Sequence, residues 1–168
     1  CLGIEPTLPT AGAAENLGIS VIREFFGKSL GERLASEDRK AALIIGNNVY
    51  AHVPDINDFT RGLKSMLKSN GTIPLEFPHV MRLIQNNQFD TIYHEHYSYL
   101  SLYTVMRVFA SAGLRVWNVE ELSTHGGSLR IYGCHEDDVR KPTKAVGELL
   151  EEERDWGLQT HDVYRGLQ

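Results

Sequence analysis

The densest chemistry in the chain lies in Phe89-Asp90-Thr91-Ile92-Tyr93-His94-Glu95-His96-Tyr97-Ser98-Tyr99. Three tyrosines, two histidines and two acids fall within these eleven residues. The stretch follows Asn86-Asn87-Gln88, a polar, turn-forming run, so most of it reads as loop. Loops at the carboxyl ends of parallel strands are where α/β folds keep their sites. A histidine such as His96 titrates near neutrality and suits general acid/base work. Glu95 beside it can fix its tautomer, and Tyr93 can donate to a developing oxyanion. The competing reading is a polar surface loop with incidental histidines. A metal reading also stands: His94, Glu95 and His96 could ligate zinc or another divalent ion and serve a metal-dependent hydrolase. An HxH pair on a strand would turn both rings to one face. A catalytic zinc site needs three protein ligands, and spacing fixes none of His52, His79 or His125 nearby.

Further candidates lie outside this cluster. Glu5 stands at the end of the first apolar run, where a carboxylate offers two acceptor oxygens to the two vicinal hydroxyls of a ribose. Asn47-Asn48-Val49-Tyr50-Ala51-His52 follows the most apolar stretch. Its asparagines can hold a polar ligand or make a turn, which is their commoner use. His125-Gly126-Gly127-Ser128 allows a close approach of backbone to ligand or a hairpin turn. Glu148, Glu151, Glu152 and Glu153 read as a solvated helix face. Cys134 reads as a core thiol, since no activating partner is evident.

The elements that must position these residues alternate along the chain. Strands are expected at Leu2–Glu5, Ile19–Phe26, Ala41–Asn47, Gly71–Val80, Leu114–Leu122 and Ser128–Gly133. The Ala41–Asn47 run is uniformly apolar, as for a strand covered on both faces, and Gly71–Val80 is interrupted by Pro74 and Pro78. Helices are expected at Ala11–Gly18, Ser29–Asp38, Asp55–Lys68, around Leu102–Ala112 and at Lys144–Trp156, from apolar residues at helical spacing and their terminal signals. Strands separated by helices imply a mostly parallel sheet. The last two strands, with no helix between them, imply one antiparallel strand. The order resembles a Rossmann-like class I methyltransferase sheet entered at its second strand.

Composition narrows the function classes. The chain has 168 residues, 42% hydrophobic and 23% charged, enough for one packed domain. Its 17 basic and 22 acidic residues give a net charge of −5, which argues against sequence-independent binding to nucleic acid. No apolar run approaches the ~20 residues of a membrane span, and no secretory leader is evident. The two cysteines, Cys1 and Cys134, form neither a metal pattern nor a disulfide framework, and a cytoplasmic location is expected. The opening Cys1-Leu2-Gly3-Ile4-Glu5-Pro6 enters directly on a strand, and the close at Arg165-Gly166-Leu167-Gln168 follows a helix-like stretch. Both are expected to mark an internal piece of a longer protein. Residues 1–138 are expected to form the core, lacking its first strand and glycine-rich loop. Residues 139–168 are expected to supply a connecting helix and the start of a C-terminal domain. A non-catalytic fragment with an exposed sheet edge is a further reading.

Six stretches, GIEP (Gly3–Pro6), EFFG (Glu24–Gly27), NNVYAHVPD (Asn47–Asp55), EFPH (Glu76–His79), QFDTIYHEHYSYLSL (Gln88–Leu102) and GLRVWNVEELSTHGGSLRIYG (Gly113–Gly133), resemble the S-adenosylmethionine-dependent C-methyltransferases of deoxysugar biosynthesis. The resemblance runs from about Leu2 to Gly133. It implies C-methylation of a nucleotide-linked keto-deoxysugar, with dTDP the expected nucleotide, in antibiotic or cell-surface pathways. It implies S-adenosylmethionine as cofactor and a monomer as the full-length protein, with neither nucleic acid nor membrane as partner. Zinc is implied only for a separate N-terminal domain, so Cys1 is no metal ligand. The family pattern places the general base at His96, further active-site positions at Tyr93, Glu95 and His52, and the ribose-binding acid at Glu5. Asn47 and Asn48 fall on the segment lining the cofactor and sugar pocket.

Overall fold

The computed structural model describes residues 1–166; Leu167 and Gln168, the end of the expected boundary segment, lie outside them. The chain runs β1 (Leu2–Ile4), α1 (Leu8–Asn16), β2 (Ser20–Ile22), α2 (Lys28–Ser36), β3 (Ala41–Leu43), β4 (Gly46–Asn47), α3 (Ile56–Met66) and β5 (Leu67–Pro78). It continues with α4 (Val80–Gln85), α5 (Leu102–Ser111), β6 (Leu114–Leu122), β7 (Ser128–His135) and α6 (Lys144–Asp155). β1 and β2 pair in parallel, and a second sheet runs β3-β5-β7-β6 with β4 also on β5. β3 and β4 are parallel to β5, whereas β7 is antiparallel to both β5 and β6. The strand directions are thus the expected ones, with the single reversed strand β7 supplied by the β6–β7 hairpin, while β1 and β2 pair apart from the main sheet.

The helices form where terminal signals and apolar stripes coincide. The Asp55 carboxylate accepts from Asp58 N at 2.9 Å and caps α3, which buries Phe59, Leu63 and Met66. Ser101 caps α5 by accepting from Thr104 N at 3.1 Å, and α5 buries Leu102, Val105 and Phe109. These stripes meet Ile73, Leu75, Phe77, Leu129 and Ile131 of the sheet in one core, which also takes in Val146 and Leu149 of α6. A smaller cluster of Leu30, Leu34 and Met66 receives Leu2, Ile4 and Ile22 from β1–β2 and Ala41 and Ile44 from the main sheet. The two sheets are therefore joined through α2 and α3. No helix among the described residues is long and apolar enough to cross a membrane.

Three expectations about the strands are corrected. First, β2 is confined to Ser20–Ile22, and Phe25 beyond it is 85% exposed. Second, Ala41–Asn47 is not covered on both faces: Ile44 packs into the core, while Leu43 and Ile45 are 55% and 64% exposed. Third, the prolines do not interrupt β5; they interrupt its partner. Ile44 N donates to Thr72 O at 3.0 Å, so the next bond of the parallel ladder would run from residue 74 to Ile44 O. Pro74 has no N–H to give, and pairing resumes only at Gly46. Asn48 N donates to Glu76 O at 2.8 Å; the following donor would be residue 78, again a proline, and the ladder stops. The helix α4, a single short element inside the expected strand-to-loop region, was hidden by its length.

Helices α2 and α3 cross at glycines. A Cβ on Gly62 would lie 2.5 Å from Gly27 O, and one on Gly31 would lie 2.6 Å from Gly62 O. Both neighbours are backbone and cannot rotate aside. Gly62→Ala is expected to force the helices apart and lower the unfolding free energy by about 1–3 kcal/mol, read from the midpoint of urea denaturation. An unchanged midpoint would show that this crossing is not tight.

Candidate active site

The site is assembled from two loops at the carboxyl ends of the parallel strands. The first begins where Pro78 ends the β4–β5 ladder. Asn48 there turns the chain with φ +52°, a left-handed conformation that asparagine tolerates. A 3-10 turn at Tyr50–His52 follows. Its anchor is Tyr50, fully buried among Phe59, Phe77 and Phe109 at centroid distances of 5.9–6.2 Å. Thr60 donates its hydroxyl hydrogen to Ile56 O at 2.6 Å, so the Tyr50 hydroxyl, 2.7 Å away, donates to Thr60 Oγ1. Burial pushes the Tyr50 hydroxyl pKa well up, outweighing that bond. With Tyr50 fixed, His52 is carried to the rim, where it is partly exposed.

The second loop runs from Asn86 to Ser101. Its outgoing end is held by the β6–β7 turn, where His125, Gly126 and Gly127 all have positive φ. Gln88 Nε2 donates to Gly126 O at 2.8 Å. A Cβ on Gly126 would meet the Gln88 side chain at 2.3 Å, and one on Gly127 would meet Arg82 Cβ at 2.8 Å. The HGGS motif is therefore a hairpin turn whose glycines admit the base of the loop. The middle of the loop is pinned to the first: Tyr97 N and Ser98 N both donate to Ala51 O, at 2.9 and 3.2 Å.

This pinning brings His52 and His96 together edge to face, with ring centroids 4.7 Å apart. Tyr93 lies 4.5 Å from His96 and Tyr99 5.9 Å. Tyr93–His96 is a turn closed by His96 N donating to Tyr93 O at 3.1 Å. His96 Nδ1 lies 2.9 Å from Thr91 O. A carbonyl oxygen only accepts, so Nδ1 carries the hydrogen and Nε2 of the neutral ring keeps its lone pair. Thr91, not Glu95, orients this ring; the Glu95 carboxylate stays exposed in the turn. His94 is likewise exposed, with its ring centroid 6.1 Å from that of Tyr93. The HxH pair does not lie on a strand, and among the described residues no group of three His, Cys, Asp or Glu side chains could hold a metal ion.

Glu5, Asn47 and Asn48 make no hydrogen bond to the histidine pair. Asn47 and Asn48 are exposed just upstream of the His52 turn. Glu5 follows β1, and its Oε1 accepts from Thr7 N at 2.8 Å and Thr7 Oγ1 at 2.5 Å. The Thr7 hydroxyl, then the Thr7 amide, hold its pKa below the usual carboxylate range against a small opposing effect of burial. Oε2 is left for another donor.

Three structural facts were not anticipated. Thr91 and Ala51 act through main-chain carbonyls, which no side-chain motif advertises. Tyr99 joins the aromatic wall. Glu153, expected on a solvated face, is fully buried; its spacing from Val146 and Leu149 already placed it on the apolar stripe. Cys134 is buried, and burial raises its pKa, as expected of a core thiol.

Residues 6–119 match the family model of the methyltransferase domain. The chain belongs to the methyltransferase family. Residues 123–168 match a second model, the C-methyltransferase C-terminal domain. The C-methyltransferase NovU of Streptomyces niveus is 37% identical over 164 residues, 98% of this chain. The chain spans 39% of the length of that relative. A S-adenosylmethionine (SAM)-dependent methyltransferase structure from Anabaena variabilis superposes with TM-score 0.61 at 13% identity, covering 80% of this chain and 67% of that one. The magnesium protoporphyrin IX methyltransferase of Synechocystis, solved with bound SAH, superposes with TM-score 0.58 at 13% identity, covering 80% and 63%. The fold is thus that of the class I SAM-dependent methyltransferases.

Thr7→Val removes the hydroxyl donor from Glu5 while keeping the backbone one. It is expected to raise the Glu5 pKa towards its ordinary value, since a bond that favours the charged form is lost. Carboxyl carbon NMR titration reads this, and an unmoved midpoint would show that Thr7 Oγ1 does not hold Glu5.

Proposed function

We propose that this chain is the catalytic core of a SAM-dependent C-methyltransferase acting on a nucleotide-linked keto-deoxysugar, with dTDP as the carried nucleotide. The observation that carries the reading is His96: its Nδ1–H is engaged by Thr91 O at 2.9 Å, which leaves Nε2 as a base on an accessible rim. The likeness to NovU supports C-methylation. The carbon next to a ketone is acidic because the charge left by its proton spreads onto oxygen. His96 Nε2 takes that proton. His52 or Tyr93, both against the His96 ring, donates to the enolate oxygen, a charge-assisted bond that strengthens as charge develops. Glu95, exposed at the turn, takes a sugar hydroxyl.

Glu5, Asn47 and Asn48 are the residues that would hold the cofactor. Glu5 keeps Oε2 for the vicinal hydroxyls of a ribose, and Asn47 and Asn48 present carboxamides beside the His52 turn. When bound, S-adenosylmethionine supplies the methyl group taken up by the enolate carbon. The residues of the two loops contribute position, holding base, oxyanion donor and substrate in one orientation.

The test uses the longest reading frame containing this chain, labelled S-adenosylmethionine, and a panel of dTDP-4-keto-deoxysugars. Label is expected on a sugar carbon, and His96→Ala is expected to lower kcat by about 10²- to 10⁴-fold with the fold retained by circular dichroism. Normal turnover by His96→Ala would remove His96 as base. Transfer to no sugar of the panel would overturn the substrate reading.

A further inference from the structure

The C-terminal helix α6 carries an acid where an apolar residue would pack. Both the Glu153 and His79 side chains have no exposed surface, and His79 Nε2 lies 2.9 Å from Glu153 Oε1. Glu153 Oε1 also accepts from Leu102 N at 2.6 Å, and Oε2 accepts from Tyr103 N at 2.9 Å. These are the first two amides of α5. With Thr104 N on Ser101 Oγ, the three N–H groups of the first turn of α5 are satisfied, and Val105 N makes the first bond within the helix, to Ser101 O. A buried carboxylate is tolerable here because it faces a helix N-terminus and a histidine donor. His79 Nδ1 has no partner among the described residues, which suits a neutral ring with its hydrogen on Nε2.

The three groups that Glu153 gathers close the loop carrying Tyr93, His96 and Tyr99. His79 follows β5, before the loop begins; Leu102 and Tyr103 follow its end. Between them His79 and Leu100 form an isolated parallel bridge, with Val80 N donating to Leu100 O at 3.0 Å. His79 N in turn donates to Gly127 O at 3.0 Å, in the hairpin turn that holds the outgoing end through Gln88. By contrast, the Arg82 contacts to Glu121 and Glu152 are exposed and weak fasteners.

We infer that Glu153 is a positioning residue for the methyl-transfer site: through His79 and the start of α5 it fixes the return end of the loop that carries His96. The inference rests on the function proposed above. It makes α6 part of the machinery rather than a tether.

The experiment compares wild type with Glu153→Gln in the longest reading frame containing the chain. The carboxamide keeps the size of the side chain but turns an N–H towards a donor. Expected are a kcat lower by about 10- to 100-fold, the scale of small misplacements of reacting groups, and an unchanged KM for S-adenosylmethionine. Faster amide hydrogen exchange is expected across residues 86–101, with β5, β6 and β7 still protected. Unchanged kcat and unchanged loop exchange in the folded variant would overturn the inference. So would faster exchange throughout the sheet, which marks general destabilisation. If Glu153→Gln does not fold, His79→Leu, which removes only the donor, is read by the same criteria. If the wild type transfers methyl to no substrate, the proposed function fails, while exchange in the loop still decides the role of Glu153.

Discussion

The carbonyl oxygen of Ala51 makes the site a site. It receives Tyr97 N and Ser98 N from a loop distant in sequence, and without it His52 and His96 would belong to two separate rims. A carbonyl can serve as such a joint only if it is itself immobile. Ala51 is buried, and its neighbour Tyr50 is sealed into the core by three aromatic rings and a hydroxyl chain to Thr60 and Ile56. The chemistry on the surface is thus referenced to the hydrophobic core through one residue. This is what positioning requires: an error in a reacting group costs more in rate than a comparable shift elsewhere costs in stability.

Pro74 and Pro78 act one step earlier. In a parallel ladder each strand alternately gives and receives, so a missing N–H on β5 removes a bond from the neighbouring strand. The consequence falls at Ile44–Ile45 and again just after Asn48, and the second break frees the chain to turn into Tyr50–His52. The same ladder also limits what sequence patterns can say. Ala41–Asn47 reads as a doubly covered strand because its residues are apolar. Leu43 and Ile45 nonetheless face outward, while Ala41 and Ile44 pack inward against α2 and α3. Apolarity reports what a strand is built to bury against, and the described residues show one of its two faces in use.

Element order, the reversed last strand and the loop character of Phe89–Tyr99 were legible, because each depends on periodicity or on turn-forming residues close in sequence. The pairing of His52 with His96 came from family resemblance; spacing alone left His52 as one loose histidine among several. What escaped was main-chain chemistry and one face assignment. Thr91 and Ala51 act through carbonyls that every residue possesses, so no residue type signals them. Four acids in six residues look like a solvated face, and this hides Glu153. The helical period sets Glu153 with Val146 and Leu149 on the buried side, and the period is the better guide when charge and spacing disagree.

Two histidines in this chain show how a shared ring is given different work. His96 donates from Nδ1 to a carbonyl and His79 donates from Nε2 to a carboxylate. Each bond leaves the opposite nitrogen bare. For His96 that nitrogen is Nε2, on a partly exposed ring among tyrosines, as the proposed role of base requires. For His79 it is Nδ1, in a side chain with no exposed surface, which no substrate proton can reach. Residue type is the same in the two cases, and only the tautomer is reversed. Access to the free nitrogen is what would separate a base from a strut, and access is set by which loop or helix closes over the ring.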